Sequence, residues 1–581
     1  MLDDADSILP VGCGKCGDQS LALGPDNFHP TNGHTAAAPE CCSIPTTFNA
    51  QRSYFVVYTG YCSRCPRRRY QWFARYTFHL RKDAKWDDGS IINAQDVDFT
   101  LRANALSLTD NPQSKSYFEN IADVILYPDD PYKITIVMKL VSVQGLEFLT
   151  DYPIMEQNYY DPKHILSGYA FSALGDPAMD HSKDKKLTEW ASAFNDPKYG
   201  NDISMLNASG PYRIVSWDRG QQLVLERKAQ NWTFDIPTKN AYQTSYPEKI
   251  IFKIVRDPNA QMLEFKSQTM DVSAWMSTEN VLSLMSDSSF LQNYNVGFVD
   301  RFDYNYIGLN MRPDGVTHQK LFEDVRVRRA MAYLVPLDDI IEVLAHGYAK
   351  RQASCVSPLK PEYNNALALI PCDVEKAKAL LDEAGWKDSD GDNIRDKIID
   401  GKKVDFRFEC KYQAGPAFIQ EIARLMQEKM RLAGVEMTGV PIEPNTLSEQ
   451  LQQHDFDMYM GAWAGSSSSE DFSQLWGSEN YTNGGSNYCG FGNAATDALI
   501  DSINVTLDTA ARFPMIRRFQ QIVYDEQPYI FMYAAARKVV IHKRFGNQDM
   551  TFERPGVVLN NLRLLSAYGK TGSAVKETNM H

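Results

Sequence analysis

The sequence predicts an α/β protein with more than one domain, and three observations lead to that prediction. The chain has 581 residues, which is too many for a single hydrophobic core. Apolar residues make up 43% of it and aromatic residues 12%, which is ample for burial and argues against disorder. In the last third of the chain, strand and helix periodicities alternate, as they do when helices pack on a largely parallel sheet.

Charge and hydropathy argue against nucleic acid as the main partner and against a membrane-spanning helix. The net charge of -13 disfavours nucleic acid as the main partner, because a phosphate backbone attracts basic surfaces. No uninterrupted apolar run approaches the roughly 20 residues that a helix needs to cross a bilayer. We therefore expect no nucleic acid partner and no membrane span in the sequence as written.

The N-terminal segment at 1–75 is unusually rich in cysteine. Two C-x-x-C pairs have the spacing that presents thiolates to one zinc ion, so a zinc ribbon is one interpretation. The other is a segment without a natural fold, because neither helical nor strand periodicity separates the pairs. On that interpretation the segment packs poorly, and proteolysis removes it while a core from about Tyr76 remains. The cysteines are Cys13, Cys16, Cys41, Cys42, Cys62 and Cys65.

Regular elements begin at Tyr76. Apolar and polar residues alternate over 76–81 and predict a strand, and Asp87–Gly89 supplies a turn in which glycine accepts a positive φ. Asn93 is placed to cap the following helix. Further on, the alternation over 207–232 predicts a hairpin.

The last third predicts the architecture of a sheet. Residues 404–412 alternate without a break and predict one strand. A helix is predicted over 417–433, with Ile419, Ile422, Met426 and Met430 on one face, and a strand is predicted over 435–442. A helix from Asn445 and a strand over 456–462 follow. This β-α-β-α-β order predicts right-handed connections and a largely parallel sheet.

Ligands of such sheets bind beyond the carboxyl ends of the strands. Here that edge comprises Gln413–Gly415 and Trp463–Ser466, and the second of these opens a polar loop rich in aromatic residues. Aromatic rings with hydroxyls, amides and carboxylates are typical of a ligand cleft. The alternative is a mobile surface loop.

Catalytic motifs are missing from the sequence. The ten histidines form no H-E-x-x-H pair, and neither a G-x-S-x-G elbow nor a phosphate-binding G-x-x-x-x-G-K-[ST] loop is present. Asp388–Asp396 spaces its aspartates as calcium loops do but lacks the closing glutamate, so a solvated turn is the preferred interpretation and calcium stays open. We expect no cofactor and no metal. The sequence does not decide whether Cys355 and Cys372 form a disulfide, whereas Cys410 is predicted to be a buried free thiol.

Several blocks resemble one known family, in the order in which that family carries them. The chain from Tyr76 to about Leu565 is similar to family 5 extracellular solute-binding proteins, the oligopeptide and dipeptide receptors of bacterial ABC importers. The resemblance implies the two-lobed, type II periplasmic binding protein fold with the extra subdomain of peptide-binding members. The blocks are YTFHLRKDAKWDDGSIINAQDVDFTL, SGPYRIVSW, YIGLN, FEDVRVRRAMAYLV, DVEKAKALLDEAGW and GSNYCGFGNAATDALID.

The resemblance also implies a domain organisation. Nothing in 1–75 matches the strands that should open lobe I, so we expect a misframed or mispredicted start that also removes the signal peptide. The alternative is a real cysteine-rich extension. The implied domains are 76–165 (a lobe I subdomain), 166–310 (the lobe I core), 311–540 (lobe II) and 541–581 (the return to lobe I and a C-terminal tail).

The binding site that the resemblance implies departs from the family pattern. Peptide-binding members carry an aspartate shortly after the tryptophan equivalent to Trp463, which pairs with the α-ammonium of the peptide. Here Gly465 and Ser466 follow instead, and a buried ammonium needs a nearby anion. Either Asp471 takes that role, or the ligand is not a free-amine peptide. The predicted ligand-binding residues are Trp463, Asp471, Ser466, Trp275, Asn310, Asn487 and Tyr488.

The resemblance implies a non-enzymatic function. We expect a monomeric, periplasmic or lipid-anchored protein that captures oligopeptides or a similar solute and delivers them to an ABC permease. One alternative is a hydrolase that uses Glu470 and Asp471, although no acid and base pair at defined spacing is visible. The other is a zinc-ribbon regulatory protein. The ligand, its length and the permease stay open.

Overall fold

A computed structural model describes residues 43–50, 53–60 and 74–566, apart from 111–117, 119, 151, 177, 238, 416 and 483–484. The chain divides into two compact units, Met1–Ile254 and Val255–His581. Among the described residues, no helix is both long and apolar enough to cross a membrane.

The first unit contains two antiparallel sheets. One has five strands in the order β1-β2-β3-β5-β4, and the other has three in the order β6-β7-β8. The strands are β1 (Ser43–Ala50), β2 (Ser53–Gly60), β3 (Ala74–His79), β4 (Ile121–Leu126), β5 (Lys133–Met138), β6 (Tyr212–Asp218), β7 (Gln222–Arg227) and β8 (Lys249–Lys253), and the longer helices are α1 (Ala94–Ala105), α2 (Val143–Thr150) and α3 (Lys185–Phe194).

Strands β1 and β2 correct the sequence analysis, which assigned no regular element to 1–75. They pair with each other, and β2 pairs with β3. Residues 53–60 lack a clean alternation, but they are rich in β-branched and aromatic residues, which favour strands whichever face they occupy. The cysteines of both C-x-x-C pairs lie outside the described residues.

The predicted turn and helix cap after β3 are confirmed. Gly89 has a φ of +88°, and Asn93 accepts a hydrogen bond from the N–H of Gln95 at 2.8 Å. Asp96 closes the capping box by accepting from the N–H of Asn93, and it also accepts from Trp86 Nε1 and from the N–H of Gln157. The three hydrogen bonds of the buried Asp96 carboxylate are thus all made within the protein. The turn and helix start after β3 therefore serve the fold and act as scaffold.

The second unit contains a three-stranded sheet of order β10-β20-β9 and a five-stranded sheet of order β16-β15-β17-β11-β18. Pairs β12-β19, β13-β14 and β21-β22 accompany them. The strands are β9 (Val272–Ser273), β10 (Tyr294–Val299), β11 (Tyr304–Leu309), β12 (Ala349–Arg351), β13 (Asp396–Ile399), β14 (Lys402–Asp405), β15 (Arg407–Gln413), β16 (Glu436–Ile442), β17 (Met458–Trp463), β18 (Tyr529–Phe531), β19 (Tyr533–Ala535), β20 (Arg537–His542), β21 (Phe545–Gly546) and β22 (Arg563–Leu564).

Helices cover these sheets. On α8, Ile422, Met426 and Met430 are buried, as the sequence predicted, and Gly434 follows with a φ of +74°, a conformation that suits glycine after a helix. The longer helices of the unit are α4 (Pro258–Lys266), α5 (Thr278–Met285), α6 (Val325–Tyr333), α7 (Val374–Glu383), α8 (Ala417–Leu432), α9 (Pro444–Gln452), α10 (Ala494–Val505) and α11 (Thr509–Glu526).

The predicted sheet is confirmed in part. Strand β15 is parallel to β16 and to β17, but β11 runs antiparallel to both of its neighbours, β17 and β18. The sheet is therefore mixed rather than largely parallel, because a strand from much earlier in the chain is inserted into it.

The prediction of one unbroken strand over 404–412 is wrong. Strand β14 pairs with β13, whereas β15 pairs with β16 and β17. The chain changes partner at Phe406, whose fully buried ring lies 4.5 Å from that of Trp386. The apolar alternation continues through this change, so periodicity alone does not reveal it.

Two connections join the two larger sheets of the second unit. Residues 300–303 lead from β10 to β11, and the chain leads from β18 to β20 through β19, which pairs with β12, and Ala536. The connections touch, because Arg301 Nε donates to the carbonyl oxygen of Ala535 at 2.8 Å. We call residues 300–303 and 535–538 the crossover.

The cysteine and calcium predictions have separate outcomes. Cys355 is a buried free thiol and Cys372 an exposed one, so the disulfide is not formed, and Cys410 is confirmed as a buried free thiol. Carboxylate oxygens of the aspartates at 388, 390 and 392 lie within 4.8 Å of one another. Two of these aspartates, Asp390 and Asp392, already pair with lysine and arginine side chains, as a solvated turn allows.

His318 predicts a pH-dependent contribution to stability. Its ring nitrogens lie 2.9 Å from Asp457 Oδ1 and 2.9 Å from Asp455 Oδ1. Burial disfavours the imidazolium, but the hydrogen bonds to both aspartates outweigh it and raise the pKa of His318. A raised folded pKa gives stability that is complete below the unfolded value of about 6.5 and lost as the pH rises through the folded value.

We therefore expect His318→Gln to lower the free energy of unfolding by about 1–3 kcal/mol at pH 5.5 and by less at pH 9. Urea denaturation at both pH values measures this difference. An equal loss at both would contradict the assignment of a charged imidazolium.

Candidate functional site

The carboxyl end of β17 carries a stack of aromatic rings. The indole of Trp463 lies parallel to the ring of Tyr306 at 8° with centroids 6.0 Å apart, and Tyr306 stacks on Tyr529 at 4.0 Å. Trp463 Nε1 also donates to Tyr529 Oη at 3.4 Å. A Cβ on Gly461 would lie 2.7 Å from the ring of Tyr306, so glycine makes room for the stack. The half-buried indole is thus fixed at the strand end.

The interior of the stack is a set of neutral phenols. Tyr306 Oη and Tyr459 Oη lie 3.1 Å apart. Burial raises the pKa of Tyr306, of Tyr459 and of Tyr529, because a phenolate is costly in a low-dielectric interior. The rings therefore form an uncharged support for the indole of Trp463.

Tyr488 lies beside Trp463, and we call these two residues the aromatic wall. Its ring centroid is 6.5 Å from that of Trp463, and the planes are 22° apart. The side chain is half-exposed, and no described residue forms a hydrogen bond with its hydroxyl. The structure thus brings two predicted site residues together, with a phenolic O–H available to a ligand.

Asn487 and Asn310 are buried rather than exposed to a cleft, at 1% and 2%. Both N–H groups of the Asn487 amide donate to backbone carbonyls, those of Gly477 and Phe491. Asn310 Nδ2 likewise donates to the carbonyl of Phe456 at 2.9 Å. These side chains position the loop after Trp476 and the start of β17, and ligand contact by either stays a prediction that their burial does not support.

The loop after Trp463 is held against the crossover. The N–H of Gly465 donates to Asp303 Oδ1 at 2.9 Å, and a Cβ at Gly465 would lie 2.5 Å from the carbonyl oxygen of Phe302. The next residue, Ser466, is exposed, and its Oγ accepts from the N–H of Ser468. The exposed hydroxyl therefore sits on an anchored backbone.

The two carboxylates of this loop have different surroundings. Lys360 Nζ lies 2.6 Å from Glu470 Oε1 and donates to the carbonyl of Ser468, and only 4% of the Lys360 side chain is exposed. Asp471 Oδ1 accepts from the N–H of Ser473 at 2.9 Å, while its second oxygen makes no hydrogen bond with any described residue. Glu470 is thus neutralised within the protein, whereas Asp471 has one carboxylate oxygen without a hydrogen-bond partner among the described residues.

Trp275 follows β9 in the three-stranded sheet, and 68% of it is exposed. It makes no ring contact or hydrogen bond with any other predicted site residue among those described. An indole so exposed at the end of a strand is available to a ligand, but the structure does not bring it to Trp463.

Sequence reasoning missed the residues that build the site from a distance. Tyr306 and Tyr529 support the indole, and Lys360 neutralises Glu470 across 110 positions of sequence. The alternation of tyrosines in β11 was a usable signal for the first of these. The sequence around Tyr529 and around Lys360 contains no such signal.

Comparisons with known proteins agree with the fold. The family model for bacterial extracellular solute-binding proteins, family 5 Middle, matches residues 74–485. The chain is 25% identical over 479 residues to the oligopeptide-binding protein AppA of Bacillus subtilis, covering 79% of this chain and 75% of that one.

Two solved structures are also similar to this chain in fold. That of AppA from Bacillus subtilis in complex with a nonapeptide has a TM-score of 0.62 and 22% identity, covering 84% of this chain and 87% of that one. That of an oligopeptide-binding protein from Thermus thermophilus with a pentapeptide has a TM-score of 0.62 and 19% identity, covering 86% and 84%. The predicted two-lobed, type II binding-protein fold is confirmed, while the predicted domain boundaries stay a prediction.

The Lys360–Glu470 pair can be tested as a structural element. Lys360→Met keeps the length of the side chain but leaves Glu470 without its cation, so we expect a loss of about 2–4 kcal/mol in the free energy of unfolding. The double variant Lys360→Met/Glu470→Gln should recover part of that loss, since it removes both charges. Chemical denaturation of the three proteins measures the coupling, and a single variant within about 0.5 kcal/mol of the original chain would contradict the pair.

Proposed function

Because the chain belongs to family 5 of the bacterial extracellular solute-binding proteins, we propose that it captures oligopeptides at the carboxyl end of β17 and delivers them to an ABC permease. It acts in the periplasm or on a lipid anchor, as a monomer. The observation that carries the proposal is the stacking of Trp463 and Tyr488 at the end of β17, followed eight residues after Trp463 by Asp471, whose second carboxylate oxygen makes no hydrogen bond with any described residue.

The wall suits a ligand of variable sequence. Flat rings bind apolar side chains and peptide planes through contact area rather than through directional bonds, so they tolerate different residues. The hydroxyl of Tyr488, which forms no hydrogen bond with any described residue, adds one hydrogen bond that fixes the orientation of the ligand.

Asp471 supplies the charge that a free amino terminus needs. An ammonium group removed from water is stable only beside an anion at hydrogen-bond distance. Glu470 does not meet that need because Lys360 already holds it. Asp471 therefore takes the role that other members give to an aspartate closer to the strand.

The proposal includes no chemical step. The hydrolase alternative would use Glu470 and Asp471 as acid and base, but the ion pair with Lys360 stabilises Glu470 in its charged form, which is the wrong state for an acid. Turnover of a peptide or glycoside by the purified protein would favour that alternative, and stoichiometric zinc would favour the zinc-ribbon alternative.

Asp471→Asn tests the ammonium contact. Asparagine retains the oxygen that accepts from Ser473 but loses the charge, so binding of free-amine peptides should weaken by about 2–5 kcal/mol, mostly through faster dissociation. N-acetylated peptides, which have no ammonium group, should bind Asp471→Asn and the original chain with equal affinity. Calorimetry and stopped-flow measurements give the affinity and the rate.

The matched control is Asp508→Asn, because Asp508 also accepts from backbone N–H groups, at the start of α11. It should leave binding unchanged. Unaltered affinity in Asp471→Asn would show that another group anchors the ligand.

Trp463→Ala tests the wall. Loss of apolar contact should weaken every peptide by a similar factor, whether or not its amino terminus is blocked. Affinities for one blocked and one free peptide, each compared with the original chain, measure this. Selective loss of only the free peptide would contradict a purely apolar role.

A further inference from the structure

A small cavity lies inside the second unit, among the end of α6, the residues after β12 and the connection from α11 to β18. About 20 Å³ of it is open to the centre of a water molecule, and roughly 10–15 Å³ of such space is enough to hold one. Its wall includes the buried side chains of Ala332, Leu337, Ala353 and Ile530. The cavity therefore has the size of a site for a very small molecule.

Two hydrogen bonds cross the outer end of this cavity. Tyr524 Oη donates to the carbonyl oxygen of Ala368 at 2.9 Å, and Arg351 Nη2 donates to the carbonyl oxygen of Ile370. All four residues line the cavity, and Ala368 is exposed. These bonds hold the loop at 368–370 over the cavity and separate its interior from bulk solvent.

Two buried amide side chains line the interior. Gln352 and Gln527 are each 2% exposed, and their Nε2 groups donate to the carbonyls of Ser354 at 2.6 Å and of Tyr529 at 2.8 Å. Because a backbone carbonyl accepts but cannot donate, these bonds fix which end of each amide is the oxygen. Both of the remaining Oε1 atoms are buried and form no hydrogen bond with any described residue.

Arg351 adds a buried donor to the same cavity. Its Nη1 lies 3.1 Å from Asp338 Oδ1, and only 13% of its side chain is exposed. Its Nε is buried and makes no hydrogen bond within the described part of the chain. A buried donor or acceptor without a partner is costly, so three such atoms on residues of one cavity indicate a bound molecule that satisfies them.

The chemistry of these three atoms selects the class of molecule. The guanidinium of Arg351 repels a metal cation, and the two amide oxygens repel an anion, so the ligand is neutral. A water molecule can donate two hydrogen bonds and accept others, and buried waters typically make about three. Two acceptors and one donor match that capacity.

We propose that this cavity is a binding site for ordered water, which donates to Gln352 Oε1 and Gln527 Oε1 and accepts from Arg351 Nε. The water joins the end of β12 to the connection before β18. Gln527 also holds the backbone of Tyr529, whose hydroxyl accepts from Trp463, so the water site helps to position the strand that supports the aromatic stack. The water site needs no peptide and is independent of the proposed function.

A crystal structure of the full chain without added ligand, at a resolution that shows water molecules, tests the site directly. We expect density in the cavity at hydrogen-bond distance, about 2.5–3.2 Å, from Gln352 Oε1, Gln527 Oε1 and Arg351 Nε. An empty cavity would overturn the proposal. So would an ion at the shorter distances of about 2.0–2.6 Å that metal ligands adopt.

A filling variant tests the site in solution. Ala353→Val adds two methyl groups at the cavity wall, so it should displace the water and leave the three polar atoms without partners. Magnetic relaxation dispersion of water, which counts slowly exchanging internal molecules, should show at least one fewer than in the original chain. The melting temperature should fall, because displacing a well-bonded water with an apolar group loses its hydrogen bonds.

The matched control is Ala366→Val, at an exposed position that does not line the cavity, and it should change neither the water count nor the melting temperature. An unchanged water count in Ala353→Val would overturn the proposal. An unchanged or higher melting temperature would also overturn it, because methyl groups that fill a dry cavity stabilise the fold. If Ala353→Val does not fold, the crystal structure of the original chain decides alone.

Discussion

The backbone of Gly465 lies so close to the carbonyl oxygen of Phe302 that a Cβ there would be 2.5 Å away, and Asp303 accepts its N–H. This attachment joins the end of β17 to the connection between the two sheets of the second unit. Trp463 precedes this contact in the chain by two residues, and the loop that carries Asp471 follows it. Both parts of the proposed site therefore depend on this contact for their arrangement.

Charge distinguishes the two carboxylates of the loop after Trp463. Lys360 neutralises Glu470, whereas the second oxygen of Asp471 makes no hydrogen bond with any described residue. Because an ammonium group removed from water needs an anion beside it, the proposed site favours a ligand with a free amino group. The uncharged phenols behind Trp463 add no competing ion.

Local patterns predicted the parts of the fold that depend on neighbouring residues. The Asn93 cap, the turn at Gly89, the apolar face of α8 and the β-α-β-α-β order each need only a short window of sequence. The antiparallel insertion of β11 and the change of partner at Phe406 depend on strands far away in the chain, and alternation is the same on both sides of each event. For that reason periodicity could not reveal them.

The site was less predictable than the fold. Trp463 and Tyr488 were found because they follow strand and loop signals, and the structure stacks them. Asn310 and Asn487 have the composition of ligand-binding residues, but an amide side chain serves a buried backbone as readily as it serves a ligand, and burial depends on the tertiary structure. Lys360 carries no local signal, because its significance lies in a partner, Glu470, that is 110 positions away in the sequence.

The central claim is that the native ligand is a peptide, and the ligand that accompanies the protein tests it most directly. Native mass spectrometry of the full chain as purified, followed by sequencing of whatever denaturation releases, identifies that ligand. We expect a mixed population of short peptides with free amino and carboxyl termini. A single non-peptide solute, bound at one equivalent, would contradict the account.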